Sequence, residues 1–120
     1  MNAAAPTEPG DVLALTETTF AGAIEHHDMV VVDFWASWCA PCRRFAPVFA
    51  AASADHPDVL FASVDIEAQP GLAAAAKIRA LPTLMIFRDG LLAQTHQGGL
   101  RASRLAKALE TARTQDAGRG

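Results

Sequence analysis

Apolar and polar residues alternate in kind rather than evenly along this chain. "VLAL" (12–15) has the length of a short edge strand, and Thr16 is placed to cap a helix through "ETTFAGAIEHH". "MVVVDFW" (29–35) is apolar almost without a break, as in a central strand buried on both faces, yet an acid, Asp33, stands in it. Pro41 suits the first turn of a helix running to about Asp55, where a missing N–H costs nothing, and Pro47 should kink that helix. "DVLFASVD" (58–65) reads as another strand and "PGLAAAAKI" (70–78) as a short helix. "PTLMIF" and "LLAQTH" flank "RDG", whose Asp89–Gly90 pair is a strong hairpin signal. Residues 101–113 place Leu105 and Leu109 at helical spacing, with Arg101, Arg104 and Lys107 outside.

The order is βαβαβαββα. Crossover helices make the early strands parallel, and the tight hairpin makes the last pair antiparallel. The fold class is therefore α/β, a mixed sheet with helices on both faces. Residues 11–113 form one domain, between a disordered segment 1–10 and a disordered tail 114–120, both small, polar and rich in proline or glycine.

Composition narrows the function classes. Of the 51% hydrophobic residues, 26 are alanines, so helices must meet the sheet closely. A net charge of −3 gives no basic patch for nucleic acid, and no apolar run approaches a membrane span. "MNAAAPTEPG" has neither a basic start nor an extended apolar stretch, so a cytoplasmic location is expected. Two cysteines are too few for a disulfide framework; in a reducing compartment a close pair is catalytic or metal-binding.

Cys39 and Cys42 are one helical turn apart, just past the end of the central strand. A sulfur at a helix start faces unpaired N–H groups and the positive end of the dipole, which favours thiolate. Cys42, a turn further in, should be more buried and less ionised. The asymmetry makes Cys39 the attacking and Cys42 the resolving sulfur. Zinc needs about four ligands, and neither a second pair nor a recognisable spacing among His26, His27, His56 and His96 supplies them. A zinc shared between two chains and an inert core pair stay open as alternatives.

"DFWASWCAPC" closely resembles the active-site segment of the thioredoxin family, usually WCGPC, and the likeness continues through "FAPVF", "VDIEAQPGLA", "LPTLMIFRDG" and "GG", over roughly residues 12–112. The resemblance implies a five-stranded mixed sheet with four helices and a protein-disulfide reductase using Cys39 and Cys42. It implies no bound cofactor or metal, electrons from NADPH through thioredoxin reductase, protein disulfide substrates and a monomer. By position, Asp33 matches a buried acid that helps move the proton of the resolving cysteine; burial should raise its pKa. Thioredoxins often place a lysine near this acid, but the matching residue is Ser63. Pro82 matches a cis proline facing the pair, and substrate would lie along Trp38, Ala40, Pro41, Leu81, Pro82 and Gly98. Trp35 would support the loop from beneath, while Arg43 and Arg44 read as a solvated helix face. Ala40 replaces the usual glycine. One methyl group at a helix start is worth on the order of 1 kcal/mol, or about 20 mV, too little to turn a reductant into an oxidant. The rival readings are an oxidase or isomerase of an exported compartment, and a holdase or binding module with idle cysteines.

Overall fold

The computed structural model describes residues 12–115. The expected segment 1–10 and residues 116–120 of the expected tail 114–120 lie outside the described residues. In chain order the elements are β1 (Leu13–Ala14), α1 (Phe20–Glu25), β2 (Met29–Trp35), α2 (Ala40–Asp55), β3 (Leu60–Asp65), α3 (Pro70–Ala75), β4 (Thr83–Arg88), β5 (Leu91–Gln97) and α4 (Ala102–Thr114). The five strands form one sheet in the order β1-β3-β2-β4-β5. β3 runs parallel to β1 and β2, while β4 is antiparallel to β2 and β5.

The order of elements is as the pattern predicts; the boundaries move where local hydrogen bonding competes. Thr16 does hold the first helical turn: its Oγ1 accepts from the Thr18 and Thr19 amides and its carbonyl from Phe20 N–H, so α1 proper starts only at Phe20. α3 stops at Ala75 rather than Ile78 because Lys77 takes a left-handed φ of 57°. α4 extends one residue beyond the expected domain end, to Thr114. α2 is continuous through Pro47. At the hairpin, Asp89 and Gly90 both have positive φ (54° and 83°), the combination a two-residue turn needs to follow the twist of its strands.

β2 is the axis of the molecule. Alternate residues face opposite layers. Val30, Val32 and Phe34 meet Leu15, Ile24 and Met85 on the α1/α3 side. Val31 belongs to the larger core on the other side, with Phe45 and Phe49 of α2, Phe61, and Leu105 and Leu109 of α4. Asp33 follows Val31 by two, so its carboxylate faces the α2 side.

α3 is fixed at its start by a distant residue. Glu17 Oε2 accepts from Gly71 N–H at 2.6 Å, and Glu17 N–H donates to Gln69 Oε1 at 2.9 Å. A Cβ on Gly71 would stand 2.5 Å from Glu17 Oε2, so only glycine lets this carboxylate approach. Gly71→Ala is expected to lower stability by about 1 kcal/mol through loss of that cap. In a Glu17→Ala background the same change should be neutral or stabilising, since alanine is then the better helix residue. Urea unfolding of the two single variants and the double variant measures the reversal.

Candidate active site

The cysteines end the loop that follows β2. Cys39 is the N-cap of α2, with extended backbone (φ −90°, ψ 109°), and its Sγ accepts a hydrogen bond from Cys42 N–H at 3.1 Å. The sulfur thus takes the position that a Ser or Asp oxygen takes in an ordinary cap. Pro41 falls within the first turn, where its missing N–H leaves nothing unpaired. Cys39 and Cys42 form a disulfide, with Cα atoms 5.2 Å apart. Both are packed against Ala36, with Trp35, Ile66 and Leu81 around them, so Trp35 lies under the loop as expected.

Cys42 is the more buried of the two, as expected, but both are buried: Cys39 is 5% accessible against 2% for Cys42. What separates the two is direction. Cys39 lines a surface groove of about 520 Å³ with Trp38, Ala40, Pro41 and Leu81. Cys42 lines a separate cavity of about 290 Å³ behind the helix, which it shares with Asp33. The backbone brings about this division because the helix turns one side chain outward at its cap and the other into its packed face.

The groove unites four of the six residues assigned to substrate. Its wall is completed by Ile66, Ile78, Arg79 and Ala80, which the sequence reading did not single out. They come from the β3–α3 and α3–β4 connections, and only the fold brings these beside the cysteines. Pro82 and Gly98 do not line the groove. The Leu81–Pro82 bond is cis, Pro82 is fully buried, and its carbonyl accepts from Gly98 N–H at 2.7 Å. Gly98 holds a φ of +90°, which favours glycine. Pro82 is thus enclosed, while Gly98 is half-buried and joined to it by that hydrogen bond. Trp38 is 62% accessible and is anchored by a 2.9 Å hydrogen bond from Nε1 to Glu67 Oε2, another partner not foreseen. Arg43 and Arg44 are exposed, and Arg43 Nη1 donates to Ser37 O at 2.8 Å, which braces the loop.

Asp33 is 4% accessible and its Oδ1 has no hydrogen-bond partner. Burial pushes its carboxyl up from the ordinary 3.8 to about 7. Its neighbour in the β2–β3 register is Ser63, which also lines the cavity. Among the described residues no group of three or more His, Cys, Asp or Glu side chains is placed to hold a metal ion, and no helix is long and apolar enough to cross a membrane.

The sequence profile of the thioredoxin family matches residues 11–111. The chain belongs to the thioredoxin family. It is 37% identical to thioredoxin C-3 of Corynebacterium nephridii over 114 residues, 94% of this chain and 77% of that one. It is 39% identical to thioredoxin 1 of Synechococcus elongatus over 99 residues, 81% and 92% of the two chains. The solved structure of the Malassezia sympodialis thioredoxin superposes with a TM-score of 0.79 at 32% identity, covering 92% of this chain and 96% of that one. With its Cys39–Cys42 disulfide, this thioredoxin is a protein-disulfide oxidoreductase that works by dithiol–disulfide exchange.

Because Asp33 holds its proton to about pH 7 when folded but only to about 3.8 when unfolded, the native state binds more protons between these values. The stability this proton gives is complete below pH 3.8 and is lost as pH rises through 7. The loss is on the order of 4 kcal/mol for a shift of this size. Asp33→Asn should remove that slope and leave the oxidised protein more stable than the parent at pH 8, as read by denaturant midpoints across pH 4–8.

Proposed function

We propose that this thioredoxin is a general reductase of protein disulfides in which Cys39 attacks, Cys42 resolves and Asp33 takes the proton of Cys42. The separation of the two sulfurs between groove and cavity carries the reading. An extended substrate lying in the groove meets Cys39 alone. Its thiolate bonds to one substrate sulfur, the substrate S–S bond breaks, and the other substrate sulfur leaves as thiolate. Cys42 then gives its proton to the Asp33 carboxylate and attacks Cys39 Sγ. The mixed disulfide breaks, the second substrate thiolate departs, and Cys39–Cys42 is left oxidised while the substrate has gained two electrons.

The helix cap supports the first step. An amide that donates to Cys39 Sγ in the disulfide donates more strongly to a thiolate there. The raised pKa of Asp33 supports the second, since a base works best when its pKa lies near the working pH. Trp38, Ala40, Pro41 and Leu81 form the docking surface, with Pro82 and Gly98 holding Leu81 in place. Two electrons return from NADPH through thioredoxin reductase. We place the protein in the cytoplasm as a monomer, a setting in which a close cysteine pair is kept reduced and ready to act.

The test is reduction of insulin disulfides with NADPH and thioredoxin reductase. The parent should turn over, Cys39→Ser should be inactive, and Cys42→Ser should accumulate a mixed disulfide through Cys39. Asp33→Asn should slow release from that mixed disulfide by about 10- to 100-fold, in the lower range for loss of general-base help, with little effect on substrate binding. No turnover of the parent with several reductases, or a release rate in Asp33→Asn equal to the parent's across pH 6–9, contradicts the reading.

A further inference from the structure

The cavity behind Cys42 has features that proton transfer alone does not account for. Proton transfer from Cys42 needs only a carboxylate within reach. Here the space is about 290 Å³, walled by Val12, Trp35, Ala46, Phe49 and Ala50. An apolar cavity of about 150 Å³ is already enough to take benzene. The polar groups in the lining are few: the Asp33 carboxyl, with its partnerless Oδ1, the Ser63 hydroxyl, and Arg43 as the one cation. Cys42 lines the same space.

Buried polar atoms in folded proteins nearly always have a partner, and an orphan acceptor points to something that supplies a donor. Water serves the polar groups but gains nothing from the apolar walls, where a hydrocarbon body is favoured. We propose that this cavity is a binding site for a small uncharged molecule with an apolar ring or chain and one hydroxyl donor, which bonds to Asp33 Oδ1 while its body lies against Trp35, Phe49 and the alanines of α2. A hydroxyl suits the site in both of its protonation states. It donates to the carboxylate, and it accepts from the acid. A free cation is disfavoured by Arg43 in the lining and by the cost of desolvating an ammonium among apolar walls.

Binding has a consequence for the chemistry that rests on the reading of Asp33 as the base for Cys42. A donor on Oδ1 stabilises the carboxylate, so an occupant lowers the Asp33 pKa from about 7 and makes it a weaker base. Linkage requires the reciprocal effect: the occupant binds more tightly as pH rises through that value. The site therefore slows the resolving step without touching the groove, so that attack by Cys39 continues and mixed disulfide builds up.

Phenol and toluene are the probes, since they share a ring and differ by the donor. Each is titrated into the oxidised full chain at pH 8 and followed by the carbon-13 shift of the Asp33 carboxyl and by backbone amide shifts. Phenol should bind roughly tenfold more tightly than toluene, the ratio one hydrogen bond to a charged group supports. Phenol, and not toluene, should move the Asp33 titration midpoint down. Ala50→Leu should fill the cavity and weaken both by at least tenfold; Ala46→Leu serves if that variant fails to fold. In Asp33→Leu the advantage of phenol should vanish. Equal affinities in the parent, shifts confined to residues outside the cavity, or undiminished binding in the filled variant would overturn the site. No turnover occurs in this experiment, so failure of the parent to reduce insulin would remove the reductase reading and leave the site standing. An unchanged release rate with phenol bound would overturn the regulatory consequence.

Discussion

One hydrogen bond orders the chemistry of this protein: the amide of Cys42 donating to the sulfur of Cys39 at the start of α2. A helix leaves its first amides without partners, and an ordinary protein fills that need with an oxygen from Ser, Thr, Asp or Asn. Here a sulfur fills it. The cap fixes Cys39 at the rim of the groove, and the helical turn that follows carries Cys42 inward by one step. The same helix, packed through Phe45 and Phe49 on the sheet, forms one wall of the cavity that Asp33 lines. The residues proposed as nucleophile, resolver and base are thus placed by one helix against one strand.

The acid in the middle of β2 is the costly part of this arrangement. A strand whose other residues are valine, phenylalanine, methionine and tryptophan would be more stable with another apolar side chain at position 33. An unpaired buried carboxylate is avoided by holding its proton, which is what a pKa of about 7 means physically. The group therefore sits close to the balance between its two forms at neutral pH. That balance destabilises the fold and suits the acid for proton exchange with a neighbouring thiol, and the two effects come from the same desolvation. The partnerless Oδ1 leaves the balance open to anything that enters the cavity with a donor.

Much of this was legible in the residues. The unbroken apolar run around Asp33 marked the central strand, Asp89–Gly90 marked the hairpin, and Cys39-Ala-Pro-Cys42 marked a helix start with a sulfur at its cap. These are local signals, in which neighbours along the chain settle the conformation. Contacts made across the fold were not legible. Ile66, Ile78, Arg79 and Ala80 join the groove only because two connections meet beside the cysteines. Glu67 finds Trp38, and Glu17 finds Gly71, across 29 and 54 positions of sequence. Pro82 and Gly98 do not line the groove; Pro82 is buried beside Leu81 in the chain and bonded to Gly98, a placement that only the fold shows. That Cys42 is the more buried cysteine was legible, but not that the difference is small and that the two sulfurs line different spaces.

The proposed mechanism rests most heavily on the helix cap, and not exposure, making Cys39 the nucleophile. Alkylation of the reduced protein by iodoacetamide, followed against pH with the modified cysteine located by mass spectrometry, tests this directly. Cys39 alone should be labelled at limiting reagent, with half-maximal rate clearly below the ordinary thiol value of about 8.5. Half-maximal labelling at or above that value, or equal labelling of Cys42, would contradict it.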